Sequence, residues 1–286
     1  MPVNWDKTEK LRAPAGNWQQ RCRRQLERWL FASFNEILIR QTTLELNHFG
    51  NGKLDGLRVV ALSDLHARDW HVGEGFLASL IEAVNRRQPD LIFLLGDYVD
   101  RHGDEAISPE EIAAWLGKFK ARYGILAVLG NHDIHCGKLR LMQALSANGI
   151  DVLSDSSRTL SIGDHKLQIA GAAELWTEAT VPGHMLHRLN PAVPTIVLTH
   201  APDLFKSLPP WIALTLAGHT HAGQVRLPWL KRFVIPSQIP ERYDYGIFRD
   251  REKTLVVSAG IGTSRLPLRI NCPPEILELT LKNKKS

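Results

Sequence analysis

Five short apolar runs, each followed within two residues by Asp, Asn or His, constrain this chain more than any other feature. Residues 59–62 lead into Ser63-Asp64-Leu65-His66, residues 91–95 into Gly96-Asp97-Tyr98-Val99-Asp100, and residues 125–129 into Gly130-Asn131-His132-Asp133. Residues 195–199 lead into His200, and residues 212–217 into Gly218-His219-Thr220-His221. Apolar runs of this length, bounded by turn residues, read as buried strands. In α/β sheets, ligands collect beyond the carboxyl ends of the strands, and every one of these polar residues falls there. A single Gly-Asp or Gly-Asn pair is an ordinary turn; five such endings in succession ask for another reason. Side chains two apart in extended backbone point the same way, so Asp64 with His66, and His219 with His221, are each expected to face one cavity.

Between the runs, helical spacing returns. Phe76, Leu77, Leu80, Ile81 and Val84 share one face over residues 76–87, and Ile112, Trp115, Leu116 and Phe119 share another over 109–120. Residues 139–147 give a third helix, closed by Asn148-Gly149, a common stop. Strands alternating with helices predict βαβ units and a buried sheet. After Asp151 short strands are expected at 152–153, 159–162 and 167–172, with closing strands at 255–258 and 276–281.

The ordered set D-x-H, G-D-x-x-D, G-N-H-D, a lone His and G-H-x-H, running from Asp64 to His221, resembles the calcineurin-like metallophosphoesterase superfamily. Residues 223–228 and 260–274 are similar to a bacterial subgroup of phosphodiesterases or phosphohydrolases. The resemblance covers about residues 55–282. It implies an α/β (α+β) fold, a four-layer αββα sandwich of two packed mixed sheets flanked by helices. It also implies two divalent or trivalent ions, the first held by Asp64, His66, Asp97 and His221, the second by Asp97, Asn131, His200 and His219. Oxygen and nitrogen ligands without thiolate suit Mn, Fe, Zn or Co. A water shared by two such ions loses a proton near neutral pH and supplies hydroxide, so no serine or cysteine nucleophile is required. His132 is the candidate for stabilising the phosphoryl oxygens or protonating the leaving group. Asp133 is expected to orient it through the second ring nitrogen, the alternative being a turn cap. Asp100 is expected to be a hydrogen-bonding partner, not a ligand. The other seven histidines are expected on the surface or in structural places.

The expected reaction is hydrolysis of a phosphodiester or pyrophosphate bond in a small or lipid-linked substrate. The alternatives are a phosphomonoesterase or protein phosphatase, and a non-catalytic scaffold at the membrane periphery. Nucleic acid is not expected as a partner, because no duplex-binding module is visible. The basic, aromatic stretch 226–253, with Arg226, Trp229, Arg242, Tyr243, Tyr245 and Phe248, could wall the site or be an ordinary loop. Three cysteines without a C-x-x-C argue against a disulfide framework and for a reducing cytoplasm. The net charge of +5 favours anionic partners, and no apolar run of membrane-spanning length exists.

Residues 1–50 are expected to be a separate piece, a loose arm to Gly16 and then a basic amphipathic helix over 18–39, with residues 51–286 as the catalytic domain. Trp18, Cys22, Leu26, Trp29, Leu30, Ile37 and Leu38 recur at helical spacing, with Arg21, Arg24 and Arg28 opposite. Such a helix packs on its own domain, lies on an anionic membrane surface, or meets a partner protein. Arg23-Arg24 resembles an export signal, but Glu27, Arg28 and Glu36 interrupt the apolar core it needs. Residues 42–47 alternate as an edge strand would.

Overall fold

In the computed structural model, described at residues 5–12, 36–67, 72, 74–100, 107–175, 185–226, 243–264 and 268–285, the apolar runs become strands of two sheets packed face to face. Strands β1 (Lys7–Arg12), β2 (Glu36–Leu46), β3 (Leu57–Leu62), β4 (Leu91–Leu94), β5 (Ile125–Ala127), β6 (Ile150–Val152) and β13 (Glu275–Asn283) make one sheet. Its order is β1-β2-β13-β3-β4-β5-β6. Strands β7 (Ser156–Ile162), β8 (His165–Gly171), β9 (Thr195–Leu198), β10 (Leu214–Ala217), β11 (Gly246–Asp250) and β12 (Lys253–Val257) make the other, in the order β11-β12-β10-β9-β8-β7. The ligand-bearing β3, β4 and β5 are parallel to one another, and so are β9 and β10.

Strand alternation divides the core. Val60, Leu62, Ile92 and Leu94 face outward and meet α1 (Glu74–Asn85) and α2 (Pro109–Leu116) through Leu77, Leu80, Ile81 and Ile112. Val59, Ala61, Leu91 and Phe93 face inward and meet Leu167, Ile169, Ile196, Leu198, Leu214 and Leu216 of the second sheet. Each of these side chains larger than alanine contributes roughly 1.5–3 kcal/mol on burial, so the inter-sheet layer fixes where the strand ends meet. Helix α2 begins at a capping box of Ser108 and Glu111 with Pro109 in its first turn, which satisfies amide groups the helix leaves open. The remaining helices are α3 (Asn131–His135) and α4 (Lys138–Ala147). On the outer face of the second sheet, a 3-10 turn at Pro202–Ser207 and residues Met185 and Leu189 cover Ala170 and Val197.

The N-terminal expectation is corrected. Lys7–Arg12 is no loose arm but the edge strand β1, antiparallel to β2. Ile37 and Leu38, counted at helical spacing, lie in β2, where both are buried. Here a strand within a seven-stranded sheet prevails over a local periodicity of only a few residues. The edge expected at 42–47 is found over Thr42–Leu46, which pair with β13 alone, because β1 reaches only as far as Gln41. Residues 13–35, the bulk of the expected helix, lie outside the described residues. Among the described residues no helix is long and apolar enough to cross a membrane.

Candidate metal centre

The loops after β3, β4 and β10 leave their strands through left-handed backbone. Asp64 (φ 53°), His66 (φ 43°), Asp97 (φ 54°), His219 (φ 68°) and His221 (φ 49°) all have positive φ, a region non-glycine residues seldom occupy and that persists where the surroundings over-determine it. The surroundings here are the loops themselves. Asp64 N donates to Gly96 O at 2.9 Å and His66 N to Asp97 O at 2.9 Å, while His219 N donates to Asp64 Oδ2 at 3.0 Å. Extended geometry was therefore the wrong reason for pairing His219 with His221. Both residues are left-handed, and each joins a different cluster. Close approach also explains Gly218: a Cβ there would collide with Ser63 Oγ and Asp64 Oδ2.

Asp64, His66 and His221 form one cluster of candidate ligand atoms, Asp97, His200 and His219 another, and His66, Asp100 and His132 a third that shares His66 with the first. His66 Nε2 lies 3.0 Å from His221 Nε2, and His200 Nε2 lies 3.0 Å from His219 Nδ1. Two metal–nitrogen bonds of about 2.1 Å at a right angle would separate their nitrogens by about 3 Å, so both pairs fit one ion each. Asp97 Oδ2 stands between the clusters, 3.5 Å from His66 Nε2 and 3.3 Å from His200 Nε2. Its other oxygen accepts the backbone N–H of His132 at 2.9 Å. Asn131 Oδ1 is buried without a hydrogen-bond partner, as suits an atom awaiting a cation. The seven expected ligands are thus brought to one seam between the sheets.

His132 lies beside them, its ring 4.6 Å from that of His66 and nearly perpendicular to it. The group that meets its Nδ1 is Asp100, through Oδ1 at 3.3 Å. Asp133 does not orient His132. Its carboxylate accepts four backbone N–H groups, from Asp97 (2.7 Å), Tyr98 (2.8 Å), Val99 (3.3 Å) and Gly130 (2.9 Å). It therefore pins the loop after β4 to the start of α3, and the orienting part passes to Asp100. Of the basic, aromatic stretch, 227–242 lie outside the described residues. Tyr243 packs edge-on against Phe205 and Phe248 in the core, and Tyr245 donates its hydroxyl to Glu275 at 2.8 Å, so these aromatics do not wall the site. Sequence reasoning missed Arg269, whose Nη2 lies 3.2 Å from His221 Nδ1.

Residues 57–234 match the calcineurin-like phosphoesterase family. The chain belongs to this family. It is 33% identical over 232 residues to the uncharacterized metallophosphoesterase YkuE of Bacillus subtilis, covering 80% of each chain. It is 29% identical over 233 residues to phosphodiesterase YaeI of Escherichia coli, covering 78% of this chain and 82% of that one. A Danio rerio relative named as a transmembrane protein with a metallophosphoesterase domain is 32% identical over 246 residues; the match covers 80% of this chain and 54% of the relative. This phosphoesterase is accordingly a metal-dependent hydrolase.

The electrostatics of the phosphoesterase site suit cation binding. Burial raises the Asp64 carboxyl to about 6, against the pull of His200. Burial pushes Asp97 up too, but His200, His66 and His132 outweigh it and hold that carboxylate well below its ordinary range. Burial alone would lower His200, yet Asp97, Asp64 and the Leu95 carbonyl raise it to about 10. Burial and then His200 drive His219 down to about 3, while burial, His66 and Arg269 drive His221 well below its ordinary value. Asp97 is thus held anionic and His219 and His221 keep their lone pairs, while His200 holds a proton that a bound cation would have to displace.

Proposed function

We propose that this phosphoesterase hydrolyses a phosphodiester or pyrophosphate bond with a two-ion centre, acting on a small or lipid-linked substrate in preference to nucleic acid. The observation that carries this reading is the place of Asp97 Oδ2, within 3.5 Å of a ligand nitrogen in each cluster. Asp64, His66, Asp97 and His221 would hold one ion, and Asp97, Asn131, His200 and His219 the other. Bound there, two ions would supply an activated water and polarise the phosphoryl group. His132 holds the proton to be moved: with its Nδ1 towards Asp100, the ring can donate from the other nitrogen to a phosphoryl or leaving-group oxygen. Asp133 keeps both loops at a fixed distance, so His132 and Asp97 approach the substrate as one unit. Diester preference is supported by the likeness to YaeI, named a phosphodiesterase. A lipid-linked substrate and a membrane contact through the part of residues 18–39 that precedes β2 belong to the same proposal, which the net charge of +5 suits.

The test is hydrolysis of bis-p-nitrophenyl phosphate beside p-nitrophenyl phosphate, with Mn, Zn or no metal after chelation. Metal-dependent cleavage that is faster on the diester is the expected result. Faster monoester cleavage would replace the reading with a phosphomonoesterase, and silence on both without metal uptake would leave a scaffold.

A further inference from the structure

Glu275, at the start of β13, is a buried carboxylate outside the metal centre, its side chain only 1% exposed. Three donors from separate places in the fold converge on it. Ala259 N donates to Oε1 at 3.0 Å, while the Tyr245 hydroxyl and Arg40 Nε donate to Oε2 at 2.8 and 3.3 Å. Burial and then Glu275 itself push the Tyr245 hydroxyl up, so it keeps its proton to donate. Glu275 also gives its own backbone N–H to Gly260 O at 3.0 Å. Side chain and backbone thus grip two consecutive residues, Ala259 and Gly260, of the turn that follows β12. A buried carboxylate is costly, and a glutamine there would turn an N–H towards at least one of the three donors.

The gripped turn is the wall behind Asp64. Gly260 has φ 70°, and a Cβ on it would come within 2.6 Å of Asp64 Cβ and 3.0 Å of Asp64 Oδ2. Ile261 N donates to Ser63 O at 3.1 Å, Gly262 N to Asp64 O at 2.6 Å, and Ser258 N to Ala217 O at 2.8 Å. At such close packing a displacement of the turn is passed on to the Asp64 carboxylate. The Tyr245 ring packs with Ala222, Ala259 and Cys272, so the same cluster backs the loop that carries His221. The N-terminal strand reaches it as well. Trp5 Nε1 donates to the Tyr245 hydroxyl at 3.3 Å, and Arg40 Nη1 to Thr8 Oγ1 at 3.0 Å. Trp5, Arg40, Tyr245 and Glu275 all lie outside the residues 57–234 that match the family.

We propose that Glu275 is a positioning residue, which sets the Asp64 carboxylate for metal through the Ala259–Gly260 turn and, with Tyr245 and Arg40, links that setting to the N-terminal strand. This rests on Asp64 as a metal ligand.

The experiment is calorimetric titration of the chelator-stripped full chain with Mn(II), beside melting curves of the metal-free proteins. Glu275→Gln should raise the free Mn(II) needed for half-saturation about tenfold, the lower end of what loss of an outer partner costs. Tyr245→Phe and then Trp5→Phe should follow with smaller increases. Leu279→Val, on the same strand but in the inter-sheet layer, is the control: it should lower the melting temperature and leave Mn(II) binding unchanged. In an Asp64→Ala background Glu275→Gln should have no further effect, because it acts through that ligand. Unchanged binding in folded Glu275→Gln, an equal loss in Leu279→Val, or a full further loss in the Asp64→Ala background would each overturn the proposal. If Glu275→Gln does not fold, Tyr245→Phe decides, and unchanged binding there overturns it too. An Asp64→Ala protein that binds Mn(II) as tightly as the unaltered chain would sink the ligand reading itself. Weakened binding in Asp64→Ala beside unchanged binding in Glu275→Gln would sink the positioning role alone.

Discussion

The two sheets bring different chemistry to one seam. The seven-stranded sheet supplies Asp64, His66, Asp97 and Asn131 from the ends of β3, β4 and β5. The six-stranded sheet supplies His200, His219 and His221 from the ends of β9 and β10, imidazoles only. Carboxylates hold charge and can bridge, whereas an imidazole binds a cation only in its neutral form and must first lose a proton where it is charged. One side therefore sets the charge of the centre and the other its pH dependence. A cation held between them would also tie the sheets together above their shared apolar layer.

The sharpest way to break that division is at Asp97. Asp97→Asn removes the only carboxylate placed between the clusters among the described residues, and both should lose affinity for metal by more than the ~10–100-fold typical of an outer partner. Metal content and diester turnover should fall together. His132→Ala should behave differently: turnover falls by about 10²–10⁴-fold while metal content is unchanged. Loss of metal in that variant would end the role given to His132. The carboxylates behind these groups separate more finely. Asp100→Asn should lower turnover by about 10–100-fold with little change in thermal stability. Asp133→Asn exchanges an acceptor of four N–H groups for an amide that opposes some of them, a loss of about 2–3 kcal/mol. Its melting temperature should drop by about 5 °C or more, and the reverse pattern in the two variants would return the orienting part to Asp133.

The seam was legible in the sequence because strand ends are marked twice, by an apolar run and by the turn residue that stops it. Asp64, Asp97, Asn131 and His219 each follow such a boundary, and the fold places all of them there. What spacing could not carry was direction. Asp133 and Asp100 both lie close in sequence to the site, and only backbone geometry shows that Asp133 turns inward to amide groups while Asp100 meets the ring. The same limit applied to His219 and His221, whose positive φ no residue pattern announces. At the N-terminus the obstacle was tertiary: Ile37 and Leu38 fit a helix as well as a strand until β13 and β1 pair on either side of β2. Arg269 left one faint signal, a lone charge among Leu266, Leu268 and Ile270 after a glycine-rich turn.

The smallest effect distinguishes the two sides by pH. In the metal-free protein, burial lowers His200 less than Asp97, Asp64 and the Leu95 carbonyl raise it, leaving it at about 10 against an ordinary 6.5. A raised histidine contributes stability that is complete below about 6.5 and is lost as pH climbs towards 10. His219 and His221, held low, are already neutral in that window, and Asp64 at about 6 has nearly finished ionising. Asp133, raised to about 7 by burial and Asp97, completes its ionisation early in the window and adds a small loss of the same sign. The chelated protein should therefore lose about 5 °C in melting temperature between pH 7 and 9. Metal-loaded protein should melt higher by a comparable margin and show no such slope, because coordination has already taken the proton from His200. Affinity for Mn(II) should accordingly keep rising above pH 7, where ordinary histidines have stopped competing. A flat profile in the chelated form would mean that His200 is neutral without metal, and the imidazole side would then carry no pH dependence of its own.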